Sequence, residues 1–300
     1  MRSKVEEAAL RVGSRVRKTP VIELDSRTML KLELLQHSGS FKPRGAFNRM
    51  LSVQIPASGV IAASGGNHGA AVAYAARELG VAAEIFVPSV TPATKLARLR
   101  AYEATLRQTG ASYAEAFVAM EAQAAKTGAL IVHAYDQEEV VAGQGTLARE
   151  LELQISGLDA VFVAVGGGGL IGGVAGWFEN RVRVIGVEPS SCATLHDALK
   201  AGHPVDVSVS GIAADSLGAK RIGSIAFALA QKFVSEVVLV TDEEIRQAQR
   251  HLWEQFRIAA EPGGAAALAG YLSGRAVTGS AARVAVIVCG ANADPQTMAR

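Results

Sequence analysis

Two cysteines in 300 residues, Cys192 and Cys289, are too few for a disulfide-framed scaffold and suit a reducing cytoplasm, with a single bridge left open. Charge is also sparse: 19% of residues are Asp, Glu, Lys or Arg, the net charge is +2, and no run of clustered Lys and Arg occurs. A disordered or polyelectrolyte chain is thereby excluded, and the electrostatic footprint of a nucleic-acid or anionic-membrane binder is missing. The partners to expect are small molecules and further copies of the chain. Internal repeats, low-complexity tracts and linkers rich in Pro, Gly or Ser are absent too. The opening Arg2-Ser3-Lys4-Val5-Glu6-Glu7 lacks the apolar centre of a signal peptide. Residues 160–178 run nineteen positions without a charge, the length of a membrane helix, yet seven of the nineteen are glycine. They read better as a buried strand over 160–165, a glycine turn and a helix starting near Leu170.

What is present is a hydrophobic chain, 49% apolar, long enough for one large domain or two coupled ones. Short runs rich in branched residues recur at 60–62, 83–87, 130–132, 182–187, 237–240 and 284–288. Helical stretches separate most of them, as at 67–79, 91–102, 115–125, 242–257 and 264–272. This alternation predicts an α/β protein whose mostly parallel sheets are covered by helices on both faces.

Ligands of such sheets bind where strand ends meet helix starts. Gly166-Gly167-Gly168-Gly169 follows a strand and opens a helix, so its backbone N–H groups can wrap a phosphate without interference from a Cβ. A dinucleotide spacing can be read into it, but Ile171 stands where the third glycine belongs. Ser64-Gly65-Gly66-Asn67-His68-Gly69 is a second such junction, suited to a carboxylate; simple capping by Ser64 or Asn67 is the other reading, and the two can coexist. Pro43 is comfortable in the first turn of a helix, which puts Lys42 at or beside its cap. There the positive end of the helix dipole and the neighbouring Arg44 both favour the neutral amine, the form that condenses with an aldehyde. A solvent-exposed lysine is the alternative. Cys289 closes the last strand, where it serves either a ligand or the core as a small hydrophobe.

With Lys31 to Gln36 just upstream, the run Ser38-Gly39-Ser40-Phe41-Lys42-Pro43-Arg44-Gly45-Ala46 resembles the lysine motif of fold-type II pyridoxal-phosphate enzymes of the serine/threonine dehydratase (threonine ammonia-lyase) family. Further matches follow in order: Ala63 to His68, Val87-Pro88 with Thr91-Pro92 and Lys95, Ala142 to Thr146, Gly166 to Gly169, Gly186 to Pro189, Glu261-Pro262 and Cys289 to Asn292. Their number and order carry the resemblance. It implies two mostly parallel three-layer α/β/α domains with pyridoxal 5′-phosphate between them, a smaller substrate-side domain of residues 48–135 set into a larger one of 1–47 and 136–300. It implies that Lys42 binds the cofactor covalently and, once displaced, removes the substrate Cα proton. Phe41 would pack beside the cofactor ring, Tyr135 near it or in the core, and Gly166, Gly167, Gly168 and Gly169 around its 5′-phosphate. Asn67 would touch the phenolic oxygen and, with Ser64 and His68, hold the substrate α-carboxylate. Cys289 would meet the pyridine nitrogen as a neutral group that cannot keep it protonated, favouring loss of a β-substituent over transamination. The implied activity is β-elimination of water from L-threonine or L-serine to a 2-oxo acid and ammonia, in a cytoplasmic homodimer or larger homo-oligomer.

Departures from the family pattern refine this. Racemases carry a serine where this chain has Gly65, so elimination with little racemisation is expected. Metal-binding relatives pair the glutamate matching Glu188 with an aspartate six residues on, where Thr194 stands here, so no metal is expected. The segment Ala214-Asp215-Ser216-Leu217-Gly218 differs from the acid-glycine pair of threonine dehydratases, leaving threonine, serine and bulkier 3-hydroxy amino acids open as substrates. At this length no regulatory domain is expected. A β-replacement enzyme, a serine racemase-like enzyme and a non-catalytic cofactor-binding protein are the alternatives.

Overall fold

The structure, a computed structural model, describes residues 1–293. Its larger sheet has the order β1 (Val21–Glu23), β2 (Thr28–Lys31), β10 (Val284–Ile287), β7 (Ala160–Ala164), β8 (Arg183–Pro189) and β9 (Val234–Val240). There β1 and β2 form an antiparallel hairpin and every other pair is parallel. The smaller sheet runs β5 (Thr105–Gln108), β4 (Ala83–Val87), β3 (Val60–Ala63) and β6 (Leu130–Ile131), all parallel. Its strands come from within residues 48–135, whereas those of the larger sheet come from both sides of that segment.

Strands buried on both faces need a helical layer on each. In β8, a side chain at Gly186 would point at Ile171 of α7 (Gly169–Phe178), while the next residue, Val187, packs against Gly270 of α12 (Pro262–Leu272). Behind α7 lie α1 (Arg2–Val12), α6 (Glu138–Gln154) and α10 (Ser224–Phe233); behind α12 lie α11 (Asp242–Phe256) and the short α9 (Ala214–Leu217). The same alternation organises β3: Ile61 and Ala63 join Met120 and Ala124 of α5 (Tyr113–Thr127), and Val60 and Ala62 join the alanines of α3 (Asn67–Glu78). The remaining helices are α2 (Pro43–Leu51), α4 (Ala93–Ala101) and α8 (Thr194–Ala201).

Four elements lack a sequence signal. The hairpin β1–β2 is too short to show a period, and β5, with sequence Thr-Leu-Arg-Gln, is a mostly exposed edge strand with a single apolar residue. In α6 the glycines hide a helix. A Cβ at Gly143 would stand 2.7 Å from Gly45 Cα of α2, and one at Gly145 would stand 2.9 Å from the Gly173 carbonyl oxygen of α7. Both glycines let helix backbones approach where side chains would hold them apart.

The N-terminal segment, β2, α2 and α6 meet in a buried cluster of charge. Arg44 donates from Nε to Glu33 Oε2 at 2.8 Å and from Nη2 to Glu33 Oε1 at 2.7 Å, a paired contact, and also reaches Glu150 at 3.0 Å. Lys31, whose side chain is fully buried, donates to Glu150, to Gln154 and to the Thr19 carbonyl. Two cations face two anions, so each charge taken out of water is matched. Burial alone would raise the Glu33 carboxyl, but the Arg44 guanidinium, with Lys31 and the Thr19 hydroxyl, outweighs it and holds the group below its ordinary range. Burial of Arg44 is outweighed likewise by Glu33 and Glu150 together, so the guanidinium stays charged.

Arg44→Met should therefore strand the Glu33 carboxylate and cost about 3–5 kcal/mol. Urea unfolding would register this as a lower midpoint at unchanged slope. Combining it with Glu33→Leu should recover most of the loss, since no buried charge is then left without a partner.

Candidate active site

Lys42 is the N-cap of α2 and Pro43 its first residue, as the sequence requires. Just before them, Ser40 bridges to Gly290 and the Phe41 amide donates to the Cys289 carbonyl at 3.1 Å, which fixes the lysine against the end of β10. Its Nζ lies 5.1 Å from the centre of the Phe41 ring and donates to the Ala134 carbonyl at 2.8 Å. Loss of hydration lowers its pKa to about 8, against the opposing pull of Cys289 and Glu261. Arg44 is not the cause that the sequence suggested. Its guanidinium turns away into the charge cluster, so burial keeps the amine partly neutral.

The same cleft is lined by Phe41, Lys42, Asn67, Gly166 to Gly169 and Cys289. Gly168, with φ +91°, ends the turn between β7 and α7; a Cβ there would stand 2.5 Å from Ala226 Cβ. Its fellow Gly167 leaves room for the Tyr135 ring, 2.3 Å from where a Cβ would be. Among the described residues the amides of Gly166 to Gly169 find no acceptor, so consecutive donors stand free at the start of α7. They form a cradle for a dianion. The carbonyl groups of the turn are held instead: Thr194 donates to that of Gly166 at 2.6 Å and the Gly223 amide to that of Gly167 at 3.0 Å.

Asn67 is held at both ends of its amide. Nδ2 donates to Glu261 Oε1 at 2.5 Å, and Oδ1 accepts from Asn292 at 2.6 Å, leaving one N–H of Nδ2 for a ligand. Glu261, the N-cap of α12, has its carboxyl raised to about 7 by burial, with the Asn67 bond opposing. The Cys289 thiol donates to the Gly263 carbonyl at 3.4 Å, and burial pushes its pKa up so that it stays neutral. Neither Ser64 nor Asn67 caps α3, whose N-cap is Gly66; the Ser64 hydroxyl accepts from the Gly66 amide at 3.2 Å. His68 does not turn its ring to the cleft: Nε2 is spent on the Val132 carbonyl at 2.8 Å, and burial lowers its pKa to about 3. Glu188 gathers the Leu195 and His196 amides at the start of α8, which occupies the carboxylate.

Sequence reasoning did not single out Glu261, Ser216 or Leu217 as lining the cleft, and left Tyr135 open; all four do so. The block Glu261-Pro262, a cap followed by a first-turn proline, was the available signal for the glutamate. A further contact joins the helices of the two sheets, an ion pair of Lys95 on α4 with Asp215 on α9.

The pattern of the pyridoxal-phosphate dependent enzyme family matches residues 12–290. An L-threonine ammonia-lyase of Geobacter sulfurreducens is 37% identical over 98% of this chain and 76% of its own length. A biosynthetic L-threonine dehydratase of Pasteurella multocida is 40% identical over 82% of this chain, which spans 49% of that protein. Maize serine racemase superposes with a TM-score of 0.92 at 30% identity, over 99% of this chain and 95% of that one.

The cradle tests these likenesses, because its free amides, a neutral thiol and a lysine of lowered pKa fit a phosphorylated pyridine aldehyde. Gly168→Ala should impose about 1–2 kcal/mol of left-handed backbone strain and weaken binding of pyridoxal phosphate by about tenfold or more. Absorbance titration measures the affinity, and an unchanged far-ultraviolet circular dichroism spectrum checks that the fold survives.

Proposed function

The chain belongs to the pyridoxal-phosphate dependent enzyme family, and from that premise we propose that it is a lyase that eliminates water from L-threonine and L-serine, giving a 2-oxo acid and ammonia. The observation that carries this reading is Lys42, an amine with its pKa lowered to about 8 at the head of α2, facing a run of free glycine amides and a neutral thiol. When bound, the cofactor supplies an aldehyde that condenses with amino groups and a ring that accepts electron density from Cα. The amides of Gly166 to Gly169 hold its phosphate. Asn67, oriented by Glu261 and Asn292, gives its remaining N–H to the phenolic oxygen. Cys289 would meet the pyridine nitrogen as a neutral group that does not protonate it, and Phe41 would pack beside the ring. Lys42 takes the proton from the substrate Cα, with the Ala134 carbonyl engaging one of its N–H bonds and holding the nitrogen in place. The start of α3 receives the substrate carboxylate through its free first-turn amides and the Ser64 hydroxyl; His68 contributes its backbone there, because its ring is already committed.

The two sheets with their helices act as the substrate-side domain, residues 48–135, and the larger cofactor domain. A racemase-like activity is disfavoured at Gly65, where a side chain would come within 3.0 Å of the Thr91 methyl group. We place the enzyme in the cytoplasm, supported by two buried free thiols, Cys192 and Cys289; among the described residues no helix is long and apolar enough to cross a membrane. Assembly as a homodimer or larger homo-oligomer belongs to the same reading.

The test is 2-oxo acid release from L-threonine, L-serine and bulkier 3-hydroxy amino acids with the cofactor-loaded protein. Lys42→Ala should lose at least about 10²–10⁴-fold in rate. Polarimetry of unreacted L-serine should show little D-isomer, and an added thiol should not divert product. Silence on every substrate, or product diverted to a thioether, would overturn the assignment as a dehydratase.

A further inference from the structure

We infer that His133 is a positioning residue for Lys42, acting through the carbonyl of Ala134. The segment between β6 and α6 crosses from the smaller sheet to the larger, and its course is set by one imidazole. His133 Nδ1 accepts from the Tyr135 amide at 3.2 Å and from the Asp136 amide at 2.9 Å. Those two bonds fold residues 133–136 into a turn, and the carbonyl enclosed within it, that of Ala134, accepts from Lys42 Nζ at 2.8 Å. The turn is clamped from behind as well, because the His133 amide donates to Gln137 Oε1 at 2.9 Å while Gln137 Nε2 donates to the Ile131 carbonyl.

The turn also reaches the phosphate cradle. Its Tyr135 ring occupies the space beside Gly167, and the Asp136 carboxylate accepts from the Ser224 and Ile225 amides, each at 3.0 Å, at the start of α10. Lysine, cradle and turn are therefore one connected unit, with the imidazole at its centre.

An Nδ1 that accepts two N–H groups carries no proton, so the ring is neutral with its hydrogen on Nε2. The ring is set edge-on between Phe117 of α5, at 5.6 Å, and Tyr135, at 4.9 Å. Four ionisable groups bear on it: Lys42 from α2, His68 from α3, and Tyr135 and Asp136 from its own turn. Burial, assisted by Lys42 and opposed by Asp136, holds its pKa below the ordinary histidine value. The sign follows directly. Neutral His133 keeps the turn closed at neutral pH; as pH falls through the lowered pKa, Nδ1 gains a proton, both amides lose their acceptor and the Ala134 carbonyl is released from Lys42.

The inference rests on Lys42 being the catalytic amine, and two variants and two kinds of readout test it. His133→Asn places an amide oxygen near the position of Nδ1, where it can accept the same two N–H groups without titrating; His133→Ala removes the acceptor. In the holoenzyme His133→Ala should lower kcat by about 10–10²-fold, whereas His133→Asn should stay within about threefold of wild type and lose the acid limb that His133 contributes to the pH profile. Independently of turnover, ¹⁵N spectra of the full-length protein at neutral pH should show the His133 proton on Nε2. Amide exchange of Tyr135 and Asp136 should accelerate at least about tenfold in the alanine variant and remain slow in the asparagine variant. Wild-type kcat and pH profile in His133→Ala, an asparagine variant no better than the alanine one, or a proton on Nδ1 would each overturn the inference. If the wild type itself releases no 2-oxo acid, the proposed reaction fails while the tautomer and exchange data still decide the role of His133 in the turn.

Discussion

Everything at the catalytic end of this fold depends on the buried pairing of Arg44 with Glu33. The carboxylate sits on the turn after β2, the guanidinium two residues beyond Lys42, and Glu150 of α6 closes the pair from the other side. A paired contact of this kind fixes the planes of both groups as well as their separation. It therefore sets the rotation of α2 about its own axis, and with it the direction in which the N-cap faces. Lys31 and Gln154 extend the same constraint to β2 and the far end of α6. A pair this deep is weak evidence for net stability, since desolvation consumes most of the attraction. Its value here is geometric, because Lys42, the residue proposed to meet the cofactor, lies within one helical turn of it.

The chemistry of the lysine then follows from what does not touch it. Arg44 is close in sequence and directed elsewhere, so no cation supplies the lowered pKa; loss of water does. Two opposing influences, Cys289 and Glu261, are themselves pushed toward their neutral forms by burial. Had either been a fully charged carboxylate or thiolate, Lys42 would be held as an ammonium and would be a poor nucleophile and a poor base. The reactive amine is the product of a neutral surrounding as much as of its own burial.

The parts of this arrangement visible in the sequence are those that depend on backbone chemistry. Gly166 to Gly169 after a branched strand, Pro43 at the first turn of α2 and the alternation of strands with helices can be read because glycine, proline and branched residues constrain the chain locally. What escapes is anything decided by side-chain direction. Two residues of separation said that Arg44 was near Lys42, yet successive helix positions diverge by about 100°, and the guanidinium faces away. His68 follows Asn67 in the family's motif but turns its ring to Val132 on β6's extension, while Asn67 turns toward Glu261. Glu261 and Tyr135 reach the cleft from segments 194 and 68 residues away from Asn67 in sequence, so only the fold could bring them there. The glycines of α6 mislead for a related reason: their purpose is to let α2 and α7 approach, which no local pattern records.

A common electrostatic logic joins these details. Of the titratable groups at or bordering the cleft, Lys42, His68 and His133 are pushed down and Cys289 and Glu261 up, each by burial first. Each shift favours the uncharged form, which lessens the side-chain charge the cleft carries. The fixed polarity that remains is that of the backbone, from the start of α7 and the start of α3, neither of which has a side-chain cap. Two anionic groups, a phosphate and a carboxylate, would each find one helix terminus. A bound amino acid would then be oriented by dipoles that do not titrate, while Lys42, proposed to take the Cα proton, has its pKa lowered to about 8 and so can give up and regain a proton near neutral pH.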